Sequence, residues 1–102
     1  MAHSRIIFHP EAAREVVEAR SWYRERSLTA EEGFLTEVNH AVSQVKAAPL
    51  RWPRYKANTR RYLFRRYPYS LVYRIYGDLV RVLAVAHDKR RAAYWISRSD
   101  AE

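Results

Sequence analysis

The spacing of apolar residues changes twice along this chain, dividing it into a helical front half and a β-rich back half. Ile6-Ile7-Phe8 is a short apolar run closed by His9-Pro10 and predicts a strand. From Glu11 to Arg26, Ala12, Ala13, Val16, Val17, Ala19 and Tyr23 recur at helical spacing with charges opposite, which predicts an amphipathic helix. Pro10 suits its first turn, where a missing N–H costs nothing. Thr29-x-x-Glu32 has the form of a capping box and predicts the start of a second helix. Phe34, Leu35, Val38, Ala41, Val42 and Val45 give that helix its stripe, and Pro49 ends it. Two helices joined by a few residues make an antiparallel helical hairpin.

After Pro49 the helical period is lost, and residues 49–59, with two prolines, read as a loop. Arg61 to Arg65 alternates in the β manner, and Pro68 separates it from a second strand over Tyr69–Tyr76. Gly77-Asp78 fits a two-residue type II′ turn, so Leu79–Ala86 pairs back as a third strand. Strict alternation puts Val80, Val82, Ala84 and Ala86 on the face toward the helices. Leu79, Arg81, Leu83, Val85 and His87 then share the other face, with His87 pointing away from the helices. Residues 90–98 are expected to form a short terminal helix. The order β-α-α-β-β-β predicts one α+β domain over 1–102, a helical hairpin laid on a small, mainly antiparallel sheet.

Composition narrows the class. A chain of 102 residues with 48% hydrophobic and 14% aromatic residues supports a packed core rather than disorder. Cysteine is absent, which removes disulfides, thiolate nucleophiles and cysteine metal sites. No apolar run approaches the ~20 residues of a membrane span and no signal peptide precedes the first strand, so a cytoplasmic protein is expected. The charge is more pointed: 19 Lys+Arg against 11 Asp+Glu give +8, and every acid except Asp78, Asp88, Asp100 and Glu102 lies before residue 38. A basic half-molecule rich in arginine suits phosphates, a nucleoprotein surface or an acidic polypeptide. A solvated surface tuned for solubility is the bland alternative.

The chemistry-bearing residues cluster at the C-terminal end. His87 has a side chain suited to proton transfer or phosphate contact, or to holding the chain end through a carbonyl. Lys89, Arg90 and Arg91 follow it, then Tyr94 and Trp95, which either stack on a base or pack onto the sheet. Arg65, Arg74, Arg81 and Arg98 are further candidates for a basic binding surface. His3, His9, His40 and His87 have no ligand-type spacing, so no metal site is expected, and no cofactor. No glycine-rich phosphate loop and no persuasive serine nucleophile stand in the chain.

Phe8-His9-Pro10-Glu11-Ala12, Trp22-Tyr23, Phe34, Pro49, Arg66-Tyr67-Pro68-Tyr69 with Val72-Tyr73-Arg74, and Leu83-Ala84-Val85-Ala86-His87 followed by Arg90, Tyr94-Trp95 and Arg98 resemble the RelE/ParE toxin superfamily. The resemblance runs from about residue 5 to 98. It implies the toxin half of a bacterial type II toxin–antitoxin pair, a plasmid stabilisation protein. It further implies growth arrest and neutralisation by a small cognate antitoxin with an acidic tail, as a hetero-oligomer. RelE-like members cleave mRNA on the ribosome, whereas ParE-like members bind DNA gyrase. Against the cleaving pattern, Arg61 and Tyr94 match a basic position and the active-site tyrosine, while Leu63, Ser70 and Asp88 stand where cations belong. The Ala-Val-x-His…Tyr-Trp ending is closer to the ParE-like branch. Ala92 falls where relatives carry proline. The favoured expectation is therefore a non-catalytic inhibitor of gyrase, binding through Arg65, Arg74, Arg81, Lys89, Arg90, Arg91, Tyr94 and Arg98. The alternatives are a ribosome-dependent endoribonuclease using His87, Arg90, Tyr94 and Arg61, and an inactive basic binding module.

Overall fold

The computed structural model describes residues 5–99, so His3, Asp100 and Glu102 of the sequence reading lie outside the described residues. The elements are β1 (Arg5–Phe8), α1 (Pro10–Arg24), α2 (Leu28–Ala47), β2 (Arg60–Leu63), β3 (Tyr69–Tyr76) and β4 (Leu79–His87), in the predicted β-α-α-β-β-β order. The sheet runs β1-β4-β3-β2; β1 lies parallel to β4, and the other pairs are antiparallel. β1 and β2 are the two edge strands, and the helical hairpin that carries the chain from one edge to the other covers one face of the sheet.

Local chemistry places the boundaries. The His9 side chain accepts from the Glu11 N–H and caps α1, with Pro10 in the first turn as expected. The cap of α2 is Ser27 rather than Thr29: its hydroxyl accepts from the Ala30 N–H at 3.2 Å, two residues earlier than the capping box suggested. Ser27 has the extended backbone a cap needs, and Thr29 already lies inside the helix. Within the hairpin pair, Gly77 takes φ +62° while Asp78 does not have positive φ, the pattern of a type II′ turn. β2 begins and ends earlier than predicted, and the terminal helix over 90–98 is reduced to a 3-10 turn at Ile96–Ser99.

The sheet carries a packed cluster on each face. Toward the helices, Phe34, Val38, Ala41 and Val45 of α2 meet Tyr62, Leu71, Tyr73, Val80, Val82 and Val85. On the opposite face a smaller cluster joins Val72, Leu83, Ala84 and Trp95, with Trp95 only 2% exposed. Packing, not base stacking, is thus what occupies the Trp95 ring.

One irregularity corrects the predicted faces. In the β3–β4 ladder Val72 pairs with Ala84 but Tyr73 pairs with Val82, leaving Leu83 as an extra residue in β4. Such a bulge shifts the alternation by one. Val80 and Val82 face the helices before it; Val85 faces them after it, while Leu83 and Ala84 both turn to the other side. His87 moves with Val85. Its ring meets Tyr69 edge-on at 5.0 Å, and Tyr69 packs on Tyr23 and Phe34, so His87 lies on the helix side. The sequence expectation for His87 failed because alternation cannot reveal an inserted residue.

Candidate functional site

The end of β4 continues into a turn tied down at both ends. Asp88 donates its N–H to the Pro68 carbonyl, Lys89 donates to His87 Nδ1 at 3.0 Å, and Arg90 donates to the His87 carbonyl. Ala93, at φ +63°, reverses the chain so that Trp95 inserts against the sheet. The side chains of Lys89, Arg90 and Arg91 are left exposed between these anchors. Three consecutive cations are thereby presented on a fixed backbone.

The anchor that sequence reading missed is Glu15. From α1 its Oε1 accepts the Val85 N–H at 2.9 Å, and its Oε2 accepts the Tyr94 hydroxyl at 2.6 Å and the Arg98 guanidinium at 2.9 Å. Arg98 also donates to the Leu83 carbonyl at 2.9 Å. β1 stops at Phe8, opposite Val82, so the backbone groups of β4 beyond it have no strand partner on that edge. Glu15 and Arg98 supply the missing acceptor and donor at the bulge. Both side chains are nearly buried, at 11% and 14% exposed, where a charge persists only if paired. Burial, followed by the bond to Glu15, pushes the Tyr94 phenol well above its ordinary pKa. Tyr94 is a neutral donor committed to Glu15.

Beside this latch lies a cleft of about 220 Å³, where Arg61, His87, Arg90, Arg91 and Tyr94 come together. Arg61 stacks over Tyr55 at 3.9 Å and Arg90 over Tyr94 at 3.8 Å. The same cleft contains Leu63, Ser70 and Asp88, and Ser70 donates its hydroxyl to Asp88 at 3.2 Å. A larger groove, about 510 Å³, runs between α1 and the ends of β3 and β4, past Trp22, Tyr23, Tyr69 and His87. Burial, with Tyr23 and Glu15 nearby, pushes the Tyr69 phenol up to about 12. Trp22 is half exposed at its rim.

The sequence-derived binding residues do not form one patch. Lys89, Arg90, Arg91 and Tyr94 sit together at the turn, with Arg61 across the cleft. Arg74 and Arg81 face each other across β3–β4 on the side away from the helices, half-buried. Arg65 is exposed at the β2–β3 connection, where the backbone N–H groups of Arg65 and Arg66 both donate to the Glu37 carboxylate. Arg98 is turned inward on Glu15.

The fold and site define a small basic α+β domain, with a helical hairpin on one sheet face and a pinned cationic turn after β4. The family described as the ParE toxin of the type II toxin–antitoxin system, parDE, matches residues 6–92, and the chain belongs to it. Among solved structures it is similar to the chromosomal ParDE TA system from P. aeruginosa, at 22% identity and a TM-score of 0.64. That match covers 83% of this chain and 96% of the other, and at such identity it is a likeness of fold. No curated protein matches the chain. Among the described residues no helix is long and apolar enough to cross a membrane.

Proposed function

We propose that this chain arrests growth as the toxin of a type II pair by binding its target, DNA gyrase, through the cationic turn, rather than by cutting RNA. One observation carries the reading: three positions of the cleft that would house cleavage hold groups that cannot assist it. Leu63 is apolar, Ser70 is bonded to Asp88, and Asp88 adds negative charge where a scissile phosphate would need neutralising. The Tyr94 hydroxyl is already given to Glu15. What remains outward is Lys89, Arg90 and Arg91, a surface suited to recognition. A cognate antitoxin with an acidic segment would neutralise the toxin, with association that slows as salt is raised.

The nuclease reading retains one specific support, the presence of Arg61, His87, Arg90 and Tyr94 around a single cleft. Expression without antitoxin separates the two. The binder induces the DNA-damage response, and the purified protein inhibits gyrase supercoiling or stabilises its cleaved complex. Unaffected gyrase together with codon-positioned mRNA cuts would replace this proposal by the nuclease.

A further inference from the structure

Between Glu37 and Asp78 the chain carries nine Lys and Arg residues and no acid. The fold gathers part of this segment at the edge of the sheet farthest from the cationic turn's latch. β2 begins at Arg60, opposite Tyr73, so β3 runs on past it through Arg74 and Ile75 with no strand beyond. The loop preceding β2 folds back along this edge, with Arg54 bridging Arg60. The result is a notch of about 180 Å³ lined by Arg54, Arg60 and Arg74, with Asn58 on its wall and Leu50 at its lip.

Three features distinguish this notch from the other two hollows. No Asp or Glu lines it, whereas the cleft beside the turn contains Asp88 and the groove along α1 contains Glu15 and Glu18. Among the described residues no carboxylate forms an ion pair with Arg54, Arg60 or Arg74. Arg60 is held in place, since one of its nitrogens donates to the carbonyls of both Leu50 and Trp52. Three arginines therefore line one hollow at the sheet edge, one of them anchored by its bonds to the loop, and no carboxylate lies among the lining residues.

We infer that this notch binds a phosphate group of a nucleic-acid backbone. One guanidinium fork saturates a carboxylate, while three arginines and an asparagine lining one small hollow offer the larger donor set that a phosphodiester can accept. Exposed Arg51 and Lys56 flank the notch on the same loop, giving neighbouring phosphates partners in turn. The contact is independent of sequence, because guanidinium–phosphate pairs position a duplex without reading it. The site shares no residue with the cationic turn, so it stands or falls separately from the function proposed above.

The test is anisotropy of a fluorescent 12-base-pair duplex with the full chain, titrated over salt. Removing two phosphate contacts in Arg54→Ala/Arg74→Ala should make the slope of log K against log salt less negative by about 1.8, and lower affinity about tenfold or more at low salt. Arg5→Ala/Arg66→Ala, which removes the same charge at exposed positions elsewhere, should change affinity less than about threefold. Arg54→Glu, on an exposed loop, gives the same reading if the Arg74 substitution disturbs β3. Equal losses from the two double variants would overturn the site, as would poly-glutamate displacing the duplex at matched charge. Inorganic phosphate binding as tightly as the duplex, with the same dependence on Arg54, would overturn the assignment to a nucleic-acid backbone.

Discussion

Glu15 and Glu31 both turn inward from the helical hairpin, and both meet arginine, yet they hold the molecule at different ranges. Glu31 accepts from Arg20 and Arg24, eleven and seven residues away on the neighbouring helix. Those arginines are 40% and 62% exposed, so water shares their charge. Glu15 accepts from Val85, Tyr94 and Arg98, at the far end of the chain, and its arginine is nearly buried. The first is a local clamp that forms when two helices meet. The second exists only when β4, its bulge and the terminal turn are all in place. The segment presenting Lys89–Arg91 is therefore the part of the fold with the most distant support, and the easiest to release without melting the helices.

The sharpest way to break this contrast is to hollow each cluster in turn. Phe34 is fully buried and touches the rings of Tyr23, Phe64, Tyr67 and Tyr69; Phe34→Ala should cost about 3–5 kcal/mol and weaken every element together. Trp95→Ala removes a comparable ring, also at about 3–5 kcal/mol, but from the smaller cluster on the opposite face. Hydrogen exchange should then rise mainly over residues 88–99, with the helices protected. Equal loss of protection in α1 and α2 would show that the terminal turn is part of the single cooperative unit.

Glu15→Ala comes next. It strands the Arg98 guanidinium, the Tyr94 hydroxyl and the Val85 N–H together, and breaking a nearly buried pair from one side costs about 3–5 kcal/mol. Glu31→Ala should cost less, because its exposed arginines return to water. Denaturant unfolding of the two variants side by side measures the difference. A larger loss from Glu31→Ala would reverse the ranking of clamp and latch.

Much of this was legible in the sequence, and the failures have common causes. The order of elements, the helical stripes and the Gly77-Asp78 turn follow from local periodicity and turn chemistry, which act within a few residues. The His87 face was misread because the bulge at Leu83, which lies in the cluster with Trp95, leaves no mark in the apolar pattern of β4. The latch was missed for a different reason: the stripe was read from apolar residues alone. Ala12, Glu15 and Ala19 stand at i, i+3 and i+7, and so do Glu31, Phe34 and Val38. A carboxylate on the buried face of an amphipathic helix needs a partner, and that signal was available. Its partners were not, since nothing local connects residue 15 to residues 94 and 98. The close approach of Tyr67 to Gly33, where a Cβ would collide with the phenol, was hidden likewise.

Within the latch, Tyr94→Phe isolates one bond. The ring keeps its stack with Arg90, while the hydroxyl bond to the Glu15 carboxylate is lost, at about 1.5–3 kcal/mol. For a binder the variant should remain toxic wherever it stays folded; for a nuclease it should lose activity by about 10²-fold or more. Comparing toxicity with thermal stability separates these outcomes. Inactivity in a variant that remains folded at the assay temperature would favour the nuclease.

The smallest effect belongs to the clamp and appears only in acid. The hydrogen bond from Arg24 holds the Glu31 carboxyl below its ordinary value of 4.5, with burial opposing and Arg20 assisting. A carboxylate whose folded pKa is depressed contributes stability that is fully present above the unfolded value. That contribution is lost as pH falls through the folded one. The window therefore opens near pH 4.5 and extends downward. Glu31→Gln cannot ionise, so its stability should fall less steeply than wild type below that point. Chemical unfolding at a series of pH values from 6 to 3 provides the two curves. They should converge toward the acid end, and curves that stay parallel throughout would mean that the exposed arginines do not favour the ionised form enough to act as a clamp.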